Sequence, residues 1–499
     1  MARRPVRPHG RWASWAAAIL VPLLSMAQNE EDALRVSDIQ PGGTGRSAGM
    51  ANAFGALGAD GAAIGINPAG MGLFRITELS VTPAVDINEA RSTHYGTSAT
   101  DSRTKFHLNN FLLAIHNQSR KGGKWQSSTY GIAFDRQATH QWDRRALGQQ
   151  VPSTILQQFV NEAEGIPGGE LDSLFPFTSG LAWNTFAINP LDDSLAFTFE
   201  SAIPFGDVVR MEQTYEERGA SSNTAFFYSG SYLDRLYFGA SVGISSHRFE
   251  RLSTHTETTL DQGLDLATVT YTEDLSTTGG GIELKLGVIG RVSDQFRLGA
   301  AYHSPCWLNL NDAYFTDMTT TFRTPDANGR TSYAAASPDG LFSYQVRTPW
   351  RMVFSGAYVF GGHGLVSVDY TYTDPRRMRL RSEDITIYDF AAENARISSD
   401  FEPVNSVRAG TEWRQGNWYY RLGWGFAGNP YREGDPRRGG PQRTYAGGLG
   451  YRTDHVGVDL GLNLVTRSGQ YYQYDPSLVE ATSEERRSYR AMLTLSFRP

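Results

Sequence analysis

Three histidines, His94, His140 and His255, fall in stretches that read as polar connections between strands. There they could serve as axial ligands to a haem iron, although histidines scattered singly through loops are usually just solvated. The run Gly42-Gly43-Thr44-Gly45 suggests a phosphate cradle. Its spacing departs from the dinucleotide pattern, no strand precedes it, and no Lys-Ser/Thr pair follows. The neighbours His303 and Ser304 offer a base and a nucleophile, but such a pair needs a third group to orient it. No residue in the sequence fills that role. A single cysteine, Cys306, excludes an internal disulfide framework. The expectation is a protein that is not an enzyme and needs neither metal nor cofactor.

The elements around these residues point elsewhere. Arg3, Arg4, Arg7 and Arg11 precede an apolar run from Ala13 to Leu24 and the small-residue pattern Ser25-Met26-Ala27. This reads as an export signal, residues 1–27, cut after Ala27. Its apolar run is about half as long as a spanning helix requires. Losing the four arginines takes the formal charge from −6 to −10, which disfavours nucleic acid as a partner. Gly (52), Phe (26), Tyr (24) and Trp (10) are abundant, a composition typical of many short strands in a barrel or sandwich.

Alternation is the strongest signal. Tyr489, Ala491, Leu493, Leu495 and Phe497 take odd positions, between Arg490, Met492, Thr494, Ser496 and Arg498. Val456, Val458, Leu460, Leu462 and Leu464 alternate with Gly457, Asp459, Gly461 and Asn463 in the same way. Side chains of a strand alternate faces, so one face is apolar and the other polar. We read strands near 76–88, 105–117, 127–137, 221–233, 235–249, 280–292, 295–305, 350–361, 364–373, 404–414, 417–427, 442–452, 455–466 and 487–497. That is about fourteen, each long enough to cross a bilayer on a tilt. Connections alternate short and long; 138–220 is the longest, and 250–279 and 306–349 also read as loops. A soluble sandwich has no reason to keep that rhythm. The expected fold is all-β: a transmembrane antiparallel barrel, residues 76–499, in the outer membrane of a Gram-negative cell. It would contact outer-membrane lipid and lipopolysaccharide. A closed barrel has no open edge to pair, so a monomer is expected.

Residues 28–75 do not alternate. They are rich in Gly and Ala, suited to a compact plug inside the lumen. Here the chain resembles a known family. Gly43-Thr44-Gly45-Arg46-Ser47-Ala48-Gly49, then Ala56 to Ile66, then Asn67-Pro68-Ala69, is similar to the N-terminal hatch of FadL/TodX outer-membrane transport proteins. Tyr302-His303-Ser304-Pro305, and Thr348-Pro349-Trp350 with Asp369-Tyr370-Thr371-Tyr372, resemble further stretches of that family. The resemblance implies a hatch over 28–75, with Gly43, Gly45, Asn67, Pro68 and Ala69 as its motif residues. It also implies passive uptake of hydrophobic small molecules such as long-chain fatty acids or aromatic hydrocarbons.

A capture site is expected in the longest outer loop. Ile155, Leu156, Phe159 and Val160 fall on one face of a short helix, with Thr154 and Gln157 as a capping box. Leu174, Phe175 and Phe177 follow; together these residues could instead form the loop's own small core. Residues 181–203 hold strand-like runs such as Leu195, Phe197 and Phe199 that could add a hairpin. On the lumen face Glu283, Lys285, Asp369, Asp459 and Arg490 could pair across the barrel and hold the hatch, but read more simply as solvated charge. Gly131 could permit a kink in the third strand. Asn67 reads as a turn residue rather than a ligand contact. The alternatives are a haem receptor, a non-transporting scaffold in protein secretion, an outer-membrane lipase and a general porin.

Overall fold

A computed structural model describes residues 29–119, 123–192, 197–382 and 388–499; the expected export signal lies outside them. The strands in chain order are β1 (Glu78–His94), β2 (Thr97–Gln118), β3 (Trp125–Thr139), β4 (Trp142–Val151), β5 (Ile188–Pro190), β6 (Phe199–Ser201) and β7 (Val209–Tyr232). They continue with β8 (Leu236–Thr259), β9 (Leu266–Arg291), β10 (Phe296–His303), β11 (Trp307–Phe322), β12 (Ser332–Ala336), β13 (Gly340–Arg347) and β14 (Arg351–Val359). The last are β15 (Gly364–Thr373), β16 (Arg379–Ser382), β17 (Val404–Gln415), β18 (Trp418–Ala427), β19 (Gln442–Arg452), β20 (Val456–Tyr471) and β21 (Thr482–Phe497). Helices are short: α1 (Glu30–Ser37), α2 (Gly45–Ala48), α3 (Ala63–Ile66), α4 (Leu156–Ala163), α5 (Leu171–Leu174), α6 (Ser179–Asn184) and α7 (Ala391–Asp400).

Antiparallel pairing closes a fourteen-strand barrel. It runs β1–β2–β3–β7–β8–β9 and returns through β17–β18–β19–β20–β21 to β1, where Leu79 faces Phe497 and Ile87 faces Tyr489. Between these arcs three wall positions are each built from two strands. β10 lies below β11, β14 below β13, and β15 below β16. The interruption falls at Ser304-Pro305-Cys306, where proline cannot donate to a ladder.

The apolar residues of each alternating strand face outward. Leu422, Ile282 and Leu462 are more than half exposed, as lipid-facing side chains must be in an isolated barrel. Aromatic residues bracket this belt. Trp418 packs on Tyr451, and Phe360 on Trp413, at the short-turn end. Trp424 and Phe426 of β18 stack near the other end. An apolar belt between aromatic girdles on a closed sheet is an outer-membrane architecture. No helix among the described residues is long and apolar enough to cross a membrane.

Several stretches read as loops are strands that rise beyond the belt. β8 and β9 stay paired through His255↔Tyr271 to Thr258↔Thr268 within 250–279, and β11 and β13 occupy much of 306–349. The upper part of β8 is polar on both faces, whereas β9, β11 and β13 turn apolar residues such as Val269, Tyr271, Leu310, Met318 and Tyr344 inward, where they are buried. The possible hairpin in 181–203 is a short pair, β5 with β6, preceded by α6; Leu195 lies outside the described residues.

Candidate functional site

The N-terminal segment lies inside the barrel. Gly45 N donates to Thr494 Oγ1 of β21 (2.7 Å), Asn109 Nδ2 of β2 to Gly43 O (2.7 Å), and Phe54 N to Asp369 Oδ2 of β15 (2.8 Å). Gly43 has φ +78°, a conformation that side chains resist, and a Cβ at Gly45 would strike the Asp459 carbonyl. Thr44 and Ser47 form a capping box at α2. Asn67 caps a 3-10 helix over Pro68–Leu73: its Oδ1 accepts from Ala69 N (3.1 Å), with Pro68 at the first position, where no donor is missed. Its Nδ2 donates to Gly55 O (2.8 Å) and Val288 O of β9 (3.2 Å), so one side chain ties two parts of the segment to the wall. Asn67 is 1 % exposed.

The lumen charges are not solvated, which corrects the reading above. Glu283, Lys285, Asp369 and Asp459 are all buried. Glu283 pairs with Lys285 (2.8 Å) and accepts from Asn223 Nδ2 (2.9 Å). Asp369 accepts the amides of Phe54 and Gly55. Asp459 holds Arg421 (2.7 Å) and Arg452 (2.7 Å). Arg421 also meets Glu412 (2.6 Å), which binds Arg46 of α2 (2.8 Å). Arg490 forks onto Asp86 (2.6 and 2.8 Å). The N-terminal segment packs against these charges inside the barrel, so they need partners. Glu412 and Arg421 carried no sequence signal beyond being charged, and Arg46 stood only within the Gly43–Gly49 stretch.

The expected capture residues sort into two groups. Ile155, Leu156, Phe159 and Val160 are at most 7 % exposed. They form a closed core with Leu171, Leu181 and Tyr271, whose ring meets Phe159 edge-on at 5.4 Å. Leu174, Phe175 and Phe177 are half-buried; Phe175 packs against this core, while Phe177 packs on Tyr314 in a separate small cluster with Phe249 and Leu275. The capping box does not form. Thr154 Oγ1 does accept from Leu156 N (3.1 Å), but Gln157 turns to Asn161. Glu257 of β8 takes Ile155 N (2.8 Å) and Thr154 Oγ1 (2.5 Å) instead. A buried carboxylate is the stronger acceptor.

Among the described residues the wall is broken between β2 and β3. The β2–β3 ladder runs from Gln118↔Ser127 to Asn110↔Asp135 and stops. β2 continues to Thr97 paired only with β1, while β3, bulged between Arg136 and Ala138, and then β4 follow β7. The end of β3 turns into the lumen, where Thr139 bonds Asp86 (2.9 Å) and Gln141 O accepts from Asn88 (2.7 Å). Gln137 O there accepts from Gln40 N of the N-terminal segment (3.0 Å). Gly131 is in regular register, so the bend belongs to the bulge five residues on rather than to that glycine. Phe106 (69 % exposed) and Leu108 (40 %) line the lower margin. Arg136 Nε caps the freed Leu108 carbonyl (3.0 Å). Above, Asp143 of β4 is shared by Arg103 of β2 (3.0 Å) and Arg218 of β7 (2.7 Å).

The histidines are committed. His94 ends β1 rather than lying in a loop, and its Nδ1 meets Thr482 Oγ1 (2.9 Å). It lies beyond the belt, and burial, with His255 nearby, pulls its pKa down to about 4. His140 bonds Ser221 (3.2 Å). His255 is held at both nitrogens, by Gln213 (2.7 Å) and Glu257 (2.8 Å). All three are buried, so none faces an open haem slot, although His94 Nε2 has no hydrogen-bond partner. His303 donates to Ile66 O (2.9 Å), and Ser304 Oγ is spent on Leu284 N (2.9 Å) and Pro305 O (2.9 Å). They do not touch as base and nucleophile. Among the described residues no cluster of metal-ligating side chains occurs.

No protein-family model and no curated protein matches the chain. Solved structures do. A Pseudomonas aeruginosa FadL homologue aligns over 92 % of this chain and 98 % of its own, with TM-score 0.55 and 11 % identity. The Pseudomonas putida toluene transporter TodX aligns over 90 % of this chain and 96 % of its own, with TM-score 0.50 and 13 % identity. The chain shares their fold across nearly its full length.

Proposed function

We propose that this outer-membrane barrel is a channel for passive uptake of hydrophobic small molecules, with residues 28–75 as a hatch. In this reading Gly43, Gly45, Asn67, Pro68 and Ala69 hold the hatch in place. Half-buried Phe175, at the edge of the outer apolar cluster, and Phe177, in the neighbouring cluster with Tyr314, make first contact with the ligand. The observation that carries the reading is a plugged lumen beside a broken wall. A general porin needs an open aqueous path, and here α2, α3 and the 3-10 turn fill the barrel's middle. The break between β2 and β3 opens beside Phe106 and Leu108, which face the lipid-exposed belt. An apolar solute that reaches the lumen above the plug can therefore leave sideways into the membrane without crossing the plug. Each methylene that moves from water onto apolar surface stabilises the bound state by about 0.8 kcal/mol, so alkyl and aromatic ligands are the class favoured. The likeness to a FadL homologue and to a toluene transporter supports the same class.

The test is mass spectrometry of organic-solvent extracts from barrel purified in mild detergent, together with cellular uptake of a labelled fatty acid and of labelled toluene. Co-purified fatty acid or hydrocarbon, depleted in a Phe175→Ser/Phe177→Ser variant, is the expected result. Leu108→Trp should slow uptake while leaving the heat-modifiable gel mobility of the folded barrel unchanged. Extracts holding only detergent and lipopolysaccharide fragments, with uptake no faster than in cells lacking the protein, would overturn the reading.

A further inference from the structure

On four neighbouring strands the outward apolar run ends on one rung. Tyr445 of β19, Leu464 of β20, Tyr489 of β21 and Ile87 of β1 are cross-strand neighbours, and above them the outward face is polar. The next rung holds Arg443, Thr466, Arg487 and Glu89. The one after holds Ser468, Glu485 and Arg91, and the last Gln470, Ser483 and Thr93. These last two rungs floor a cleft of about 370 Å³. Its side wall is Arg438 and Gly439 of the β18–β19 connection, where Gly440 N donates to Ser468 Oγ (3.0 Å). A Cβ at Gly439 would stand 1.9 Å from Ser468 O, so only glycine lets the connection lie this close. Arg438 is fixed by Glu402 (2.9 Å) and the Tyr431 carbonyl (2.8 Å).

The lining is polar throughout, so the cleft does not suit an apolar solute. Its volume is that of a small-molecule site, ~300–1,000 Å³. The charges are mixed rather than basic. Arg487 approaches Glu485 at 3.9 Å, and both are more than half exposed. Arg91, with Glu485 opposite, and Arg443 make no hydrogen bond or ion pair among the described residues. Neighbouring strands set these side chains roughly 5 Å apart, the breadth of a sugar ring. Sugar hydroxyls can accept from a guanidinium and donate to a carboxylate at once. Height decides the ligand. At roughly 3.3 Å per residue and a tilt near 40°, Arg443 and Arg487 stand about 5 Å above the last apolar rung, and the cleft about 10–15 Å. In an outer leaflet the first height is that of the phosphates on the acylated glucosamines, and the second that of the sugars attached to them. We propose that this face binds one lipopolysaccharide molecule, with Arg443 and Arg487 on its lipid phosphates and the cleft around Arg91 on its inner sugars. Guanidinium–phosphate bonds are charge-assisted and among the strongest a surface can make. The site follows from the outer-membrane location alone and does not depend on what the barrel conducts.

The full chain, purified in mild detergent and freed of endogenous lipid, is titrated in native mass spectrometry with lipid A and with lipopolysaccharide that ends at its inner sugars. Wild type should bind one copy of the sugar-bearing form roughly tenfold more tightly than lipid A, about what one charge-assisted hydrogen bond supplies. Arg91→Ala should abolish that preference. Gln470→Trp, which fills the cleft without changing a charge, should do the same. An Arg443→Ala/Arg487→Ala variant should bind both forms more weakly and keep the preference. These positions face outward on the wall, so the heat-modifiable gel mobility of each variant should match wild type. Equal affinity of wild type for the two forms, or a preference that survives both cleft variants, would overturn the proposal. So would unchanged affinity in the Arg443→Ala/Arg487→Ala variant.

Discussion

Glu257 Oε1 accepts the backbone amide of Ile155 at 2.8 Å, so the first turn of α4 is capped by the barrel wall. The same carboxylate holds Thr154 and His255. An outer compartment that could have been a floppy insertion is thereby anchored on β8 at one fully buried residue.

Glu257→Gln keeps the shape and removes the charge. The amide nitrogen would face the donors that the carboxylate now satisfies. A loss of about 2–4 kcal/mol in the local stability of residues 152–208 is expected, from buried donors left unsatisfied. Limited proteolysis should nick this segment faster, with the barrel's own mobility on gels unchanged. An equally resistant variant would show that the apolar core alone holds the segment.

Asn67→Ala removes both donations that join Gly55 O and Val288 O. The buried Gly55 carbonyl loses a partner, at about 1–3 kcal/mol before relaxation, and the partly buried Val288 carbonyl loses a longer bond. If residues 28–75 act as a hatch, planar-bilayer recordings of the variant should show larger and more frequent openings than wild type. A silent variant would place the closure elsewhere.

The outer compartment should be acid-sensitive through His94. Its folded pKa, about 4, lies below the ordinary imidazole value, so the unfolded chain binds the proton more readily. The stabilisation is complete above pH ~6.5 and is lost as pH falls toward the folded value. A second proton would have no acceptor, because buried Nε2 has no partner while Nδ1 is engaged by Thr482. His94→Asn should flatten the melting profile across that interval. An unchanged slope would assign the acid response to another group.

Much of the wall was legible because lipid selects side chains one by one along a strand. Val456 to Leu464, and Tyr489 to Phe497, announce their outward face without reference to anything distant. The lumen was harder. Glu283, Lys285 and Asp369 look the same in sequence whether they meet water or a plug, and only the folded N-terminal segment decides. Thr154 and Gln157 carried a local capping signal that Glu257, about a hundred residues away, overrode. The upper half of β8 is polar on both faces, as at Thr254-His255-Thr256-Glu257, because it has left the membrane, and its partner β9 turns Val269 and Tyr271 inward rather than out to lipid. The break after Asn110↔Asp135 has no compositional mark: Arg136 and Gln137 would suit a continuous strand equally well.

The strand lengths are uneven around the ring. β9 has 26 residues and β18 has 10. At roughly 3.3 Å per residue and a tilt near 40°, β9 climbs about 65 Å while β18 spans about 25 Å, the height of the apolar belt alone. The mouth is therefore cut obliquely. One flank stands roughly 40 Å clear of the bilayer core, with exposed Leu260 near its crest, and the opposite flank ends close to the head groups. On the proposed function, a solute approaching from the medium would meet the tall flank first.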